Sequence, residues 1–139
     1  VTASRAVRDG DAPKLRDLVQ RVKADFDNYK RRQEVQRSEQ RATAAMELVR
    51  ELLPVLDACE LAVAQGHADV APVEAQLIGT LAKRGLVKVT DVDVEFDPNV
   101  HEAVLHEEGD GPPVVVEVMR SGYLWNDHVV RAAMVKVKG

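Results

Sequence analysis

His101 and His106, with Glu102 beside the first, are the residues that come nearest to a catalytic constellation in this chain. A zinc-hydrolase helix needs histidines at i and i+4, both facing one metal ion, with a glutamate between them as base. Here the spacing is five. That turns the two rings about 140° apart on a helix and sets them on opposite faces of a strand, so no metal site is expected. Cys59 has no histidine or second cysteine near it in sequence and sits on an apolar stripe. It is expected to pack as a small hydrophobe rather than act as a nucleophile. The sequence holds no glycine-rich phosphate loop, nucleophile elbow or CxxC pair, and Glu107-Glu108 adjoins a turn, where carboxylates serve solvation. Neither enzyme activity nor a cofactor is expected.

Lys30-Arg31-Arg32, with Arg37 and Arg41, forms the chain's basic cluster, diluted by Asp27, Glu34 and Glu39. Nucleic acid would call for a larger cationic footprint with base-stacking aromatics beside it. A solvated helix face with i,i+4 pairs and a protein-contact patch both remain open.

The composition points to elongated helices. Only 4% of the 139 residues are aromatic while 30% are charged, which gives little core-filling bulk. Residues 1–50 carry 12 Lys/Arg against 8 Asp/Glu, and residues 51–139 carry 7 against 15. Two modules of different character follow from that asymmetry. A single cysteine excludes an internal disulfide and suits a reducing compartment. With no apolar run near eighteen residues, a cytoplasmic protein is expected, without membrane or nucleic-acid partners. The first residue is Val1 rather than Met, which leaves room for a preceding tail.

Residues 1–13 lack periodicity and are expected to form a flexible tail. From Lys14 to about Gln65 there is no glycine, and the only proline is Pro54. That predicts one very long helix, or one broken near Pro54. Its first part, 14–50, carries a heptad seam: Leu15, Val19, Val22, Phe26 and Tyr29 are spaced 4, 3, 4 and 3. The same rhythm continues onto Gln33, Gln36, Gln40 and Thr43, so the seam turns polar in mid-helix. Five apolar positions cannot hold a lone helix in water, but they can pair two, and a homodimer is inferred. After Ala45 the face widens (Met46, Val49, Leu52, Leu53, Leu56, Cys59, Val63), as a bundle requires. A shorter helix over Val73–Lys83 completes bundle helices within 51–84, two per protomer and four in the dimer. Leu52, Leu53 and Leu56 join the stalk seam as expected dimer contacts.

Beyond Gly85 the period becomes two. Strands are predicted over Asp91–Asp97, with Val92, Val94 and Phe96 on one face, and over His101–Leu105, Val114–Arg120 and Val129–Lys138. Gly109-Asp110-Gly111-Pro112-Pro113 is the clearest turn. The fold class is therefore α+β: a coiled-coil helix, short bundle helices and a small all-β domain over 85–139.

Phe96-Asp97-Pro98-Asn99-Val100-His101-Glu102-Ala103, then Gly122-Tyr123 and Arg131-Ala132-Ala133-Met134-Val135-Lys136-Val137, resemble the signature of the GrpE family, nucleotide exchange factors of DnaK-type chaperones. The stretch from Ala24 to Arg32 is similar to the family's stalk, and that from Glu51 to Asp57 to the start of its bundle. The likeness runs from Lys14 onward. It implies a symmetric homodimer with paired helices, a four-helix bundle and two β wings. It also implies a co-chaperone of the stress response that binds DnaK's nucleotide-binding domain, opens its cleft and speeds ADP release so that ATP can rebind. Separately from the resemblance, the glutamine-rich seam of the stalk helices is expected to melt reversibly on heating and slow exchange, as a thermosensor. Phe96, Pro98, Met119, Val137 and Lys30 would match chaperone contacts, and His128 stands where some relatives have arginine. Leu61 replaces an arginine contact of other members, and Asp69 stands where glycine is common. Local alternation puts Met119 with Glu117, opposite Val114, Val116 and Val118, on a strand surface. Phe96 is open between contact and core, as is Val137. Asn99, His101 and Gly122 are expected to shape turns and strand ends. A coiled-coil scaffold or adaptor without exchange activity is the alternative.

Overall fold

The computed structural model describes residues 10–139; most of the expected tail, residues 1–9, lies outside them. Two compact units divide the chain, Val1–Ala44 and Ala45–Gly139, and helix α1 (Ala12–Ala64) contributes to both. The helix starts at Ala12, two residues earlier than expected. Pro13 sits in its first turn, where a backbone N–H would have no helical partner to lose. It also runs unbroken through Pro54. An interior proline costs a helix about 3 kcal/mol, but Pro54 faces solvent while Val49, Leu53 and Leu56 are buried on either side of it. Those anchors hold the helix across the missing hydrogen bond.

In the first unit the seam residues Leu15, Val19, Val22, Phe26 and Tyr29 are all exposed in the single chain, by 44% to 65%. Among the described residues of their unit, nothing covers them.

In the second unit, α1 gives way to a 3-10 turn (Ala68–Val70) and α2 (Ala71–Ala82), followed by seven strands. Strands β1 (Leu86–Val89), β5 (Gly122–Trp125) and β6 (His128–Arg131) form an antiparallel sheet in the order β1-β5-β6. Strands β2 (Val94–Glu95), β3 (His101–Glu107), β4 (Val114–Arg120) and β7 (Ala133–Lys138) form a second, in the order β2-β4-β7-β3. β3 runs parallel to β7, and the other pairs are antiparallel.

Each sheet has its own core. The three-stranded sheet packs Leu86, Tyr123, Trp125 and Val130 onto Val49, Leu53 and Leu56 of α1, with Leu77, Ile78 and Leu81 of α2 beside them. Leu53 and Leu56, expected as dimer contacts, are therefore covered by their own chain, at 3% and 0% exposure. The other sheet buries Val115, Ala133, Val135 and Val137 under Val89, Val94, Phe96 and Val118. Period-two alternation along β7 sends Ala133, Val135 and Val137 inward. Val137, expected to touch a partner, is a core residue at 3% exposure.

Several expected strands are cut differently. The alternation over 91–97 yields a ladder only at Val94–Glu95, because Asp93 adopts a left-handed φ of 59° and Val92 is left 46% exposed. The run over 129–138 is two strands in two sheets. Asn126 and Asp127, both at positive φ, make a two-residue turn joining β5 to β6. The chain then changes sheet at Ala132, as it does at Ser121 between β4 and β5. Gly122 sits at this crossing, where a Cβ would lie 2.4 Å from the Ala133 nitrogen. Only glycine lets the two strands approach so closely.

Candidate functional site

Strand β4 sets the position of Met119. Register shifts in its pairing with β7, between Val115 and Glu117 and between Val118 and Arg120, move the inward phase from Val115 to Val118. Strict alternation, which placed Val114, Val116 and Val118 together, fails at these bulges. Met119 is nonetheless 50% exposed. With Leu61, Ala64 and Met134 it lines an apolar cleft of about 560 Å³, edged by Asp57, Glu60, Arg120 and Ser121. Leu61 is 58% exposed, so the leucine at this position extends the apolar wall instead of offering a charge.

β2 and β3 are the two edges of the four-stranded sheet, so residues 96–100 must carry the chain from one edge to the other. Phe96 is half-buried against the sheet core and stacks on His101, ring centroids 5.9 Å apart. Its alternatives, contact or core, thus resolve into a ring that packs inward while keeping part of its surface open. Pro98 and Asn99 are exposed. Asp97 organises the turn. Its carbonyl accepts from Val100 N (3.1 Å) and His101 N (2.8 Å), and its Oδ1 accepts from Asn99 N (2.9 Å). His101 is buried and its Nδ1 is occupied by the Asp97 N–H, whereas His106 is exposed.

The remaining expected contacts lie on other elements. His128 is exposed at the start of β6, in the three-stranded sheet. Lys30 belongs to the first unit and holds its ammonium 4.9 Å from the Phe26 ring centroid, a cation–π contact.

At the crossing between the sheets lies a clamp that residue types alone did not reveal. Arg131 donates to both carboxylate oxygens of Asp57, at 2.6 and 2.7 Å, and to the carbonyl of Ser121 from Nε and Nη2, at 3.2 and 2.7 Å. Its guanidinium also lies 5.4 Å from the Tyr123 ring centroid. Ser121 Oγ donates to Glu60 at 2.9 Å, and Lys88 bridges Glu60 and Glu74 at 3.7 and 3.2 Å. One arginine thereby ties α1 to the point where the chain changes sheet. The available signal was Arg131 standing alone in the apolar run Val129-Val130-Arg131-Ala132-Ala133, with Asp57 one turn beyond Leu53.

The electrostatics follow that geometry. The Arg131 hydrogen bond holds the Asp57 carboxyl below the ordinary carboxylate range, against the opposing effect of burial, with the nearby Arg131 and Arg120 charges assisting. Arg131 is correspondingly raised, first by its bond to Asp57. Burial pushes the Tyr123 phenol up to about 12, with Glu60 and Asp57 adding to the effect. Among the described residues, no group of three or more His, Cys, Asp or Glu could hold a metal ion, and no helix is long and apolar enough to cross a membrane.

The depressed Asp57 fixes the sign of a pH effect. Its stabilisation is fully present above the ordinary carboxylate pKa near 4 and is lost as pH falls through the lower folded-state value. Asp57→Asn should cost about 1.5–3 kcal/mol near neutrality, the scale of hydrogen bonds to charged groups. The gap from wild type should close in urea titrations as pH falls through the lowered folded-state value. A gap that persists unchanged at low pH would show that the Asp57 charge is not its source.

The GrpE family model matches residues 6–139. Protein GrpE of Bacillus subtilis (strain 168) is 40% identical over 129 residues, covering 84% of this chain and 68% of that protein. Protein GrpE of Clostridioides difficile (strain 630) is 35% identical over 144 residues, covering 97% and 69%. Protein GrpE of Mycolicibacterium paratuberculosis (strain ATCC BAA-968 / K-10) is 41% identical over 124 residues, covering 86% and 54%.

Proposed function

This chain belongs to the GrpE family, and from that membership we propose that it is a homodimeric co-chaperone that opens the nucleotide-binding domain of a DnaK-type chaperone. ADP then leaves and ATP rebinds. No chemical step is needed. An exchange factor has only to bind the open, nucleotide-free chaperone better than the closed one, and by linkage nucleotide then weakens its grip by the same factor.

The observation that carries the proposal is Met119, half-exposed on a sheet that buries Val115, Val135 and Val137 in its core. A flexible, polarisable side chain on a rigid strand suits a protein contact. Pro98 on the loop between β2 and β3 is the second proposed contact, with the open part of Phe96. His128 and Lys30 are kept as polar contacts on their own elements.

Two seams support the homodimer. The first is Leu15, Val19, Val22, Phe26 and Tyr29. The second lies on the outward side of α1: Leu48, Leu52, Val55, Cys59 and Ala62, spaced 4, 3, 4 and 3. Leu48 and Val55 are 59% and 49% exposed in the single chain. Leu52 remains a dimer contact on this reading, whereas Leu53 and Leu56 do not.

The test is release of fluorescent ADP from the cognate chaperone in stopped flow. The intact dimer should accelerate release, and Met119→Asp should weaken the complex by about 2–5 kcal/mol while remaining dimeric. No acceleration by a folded dimer would leave the scaffold alternative. Unchanged binding of Met119→Asp would remove that residue from the contact.

The polar continuation of the first seam, Gln33, Gln36, Gln40 and Thr43, supports a thermosensor within the same proposal. Heating should melt residues 14–50 in a reversible helix transition separate from loss of the β unit. A single circular-dichroism transition common to both would contradict it.

A further inference from the structure

The turn that presents Pro98 is held at its start by a single side chain other than that of Asp97. The Asp97 N–H points inward and is accepted by His101 Nδ1 at 3.0 Å. His101 is 7% exposed, and its own N–H donates back to the Asp97 carbonyl at 2.8 Å. The two residues are thus joined by a reciprocal pair of bonds across the exposed Pro98 and Asn99. At the base, Ala133 N donates to the Val100 carbonyl at 2.9 Å, which ties the turn to β7. Because Nδ1 accepts, the ring's hydrogen resides on Nε2. The imidazole also supports Phe96 from one side, its plane inclined 28° to the phenyl ring.

Two functions of this histidine can be separated chemically. As an acceptor it fixes the direction of the Asp97 amide, and so the path on which Pro98 leaves the sheet. As a ring it fills space beside Phe96. The acceptor function is the more demanding. A partly buried N–H left without a partner costs more than a replaceable apolar contact, and the turn would rotate to find another acceptor. Few other side chains have an unprotonated acceptor two bonds beyond Cβ.

We propose that His101 is a positioning residue for partner docking, its Nδ1 holding the Asp97 amide so that Pro98 faces the chaperone in one fixed orientation. This rests on the reading of the 96–100 turn as a contact. His101 does not itself touch the partner.

Three substitutions divide the possibilities. Asparagine places an amide oxygen near the position of Nδ1 and keeps the acceptor without the ring. Phenylalanine keeps a ring without the acceptor, and alanine removes both. Hydrogen exchange at the Asp97 amide, the Kd for the nucleotide-free chaperone, and the ADP release rate at saturation are measured for each dimer. In His101→Ala and His101→Phe, protection of the Asp97 amide should fall and Kd should weaken, each roughly tenfold, with the saturated rate nearly unchanged. His101→Asn should restore both to near wild type.

Rescue by His101→Phe but not by His101→Asn would overturn the proposal in favour of packing. Unchanged protection of the Asp97 amide in His101→Ala would overturn it directly. Lost protection with unchanged Kd in His101→Ala would instead overturn the reading of the turn as a docking contact. His101→Asn and His101→Phe keep the comparison decisive if the alanine variant does not fold.

Discussion

Residues 45–64 of α1 carry apolar side chains on two faces, and the β unit can cover only one of them. Val49, Leu53 and Leu56, spaced 4 and 3, disappear beneath the three-stranded sheet and α2. Full burial of such side chains stabilises by about 1.5–3 kcal/mol each, which is enough to carry the helix through Pro54. Leu48, Leu52 and Val55 point elsewhere and stay open to varying degrees. Neither face can be given up. Without the first, the β unit has no floor; without an occupant for the second, the chain displays a stripe that soluble monomers rarely leave uncovered. Proposed dimerisation follows from this division, with one face folding the subunit and the other pairing it.

The β unit must also keep a fixed attitude to its helix if it is to transmit force to a partner. Apolar packing is tolerant of direction, whereas the Asp57–Arg131 pair is not. A bidentate guanidinium–carboxylate contact specifies both distance and plane. Its further bonds to the Ser121 carbonyl place that specification at the crossing of the two sheets. The Gly122-Tyr123 and Arg131-Ala132-Ala133 motifs are thus one structural device. Glycine permits the close crossing, tyrosine fills the core beneath it, and arginine ties it to α1.

The long helix and the shorter one were legible because each obeys one period over many residues, and β4 because its run of valines lies just past a Gly-Pro turn. What was not legible depended on single residues that break a period. Asp93 ends an alternation that looks continuous, and the β4 bulges shift which valines face inward. Asn126-Asp127 is a turn signal, but the run that follows it reads as one uninterrupted strand and hides the change of sheet at Ala132. The candidate contacts show the same boundary. Met119 was recognisable as a surface residue, whereas Val137 fits the apolar motif equally well as core, and only the register of β7 decides. Leu53 and Leu56 carry the right residue type for a dimer seam. Adjacent positions on a helix lie about 100° apart, so a shift of one residue separates the inward face from the outward one.

The division of α1 into an inward and an outward face is tested most directly by solution mass combined with two substitutions one residue apart. Val55→Asp should reduce the assembly to monomers at micromolar concentration while the β unit keeps its near-ultraviolet Trp125 signal. Leu56→Ala should instead destabilise the subunit by about 2–5 kcal/mol and leave the pairing surface in place. A wild-type monomer, or a Val55→Asp protein that remains fully dimeric, would contradict the account.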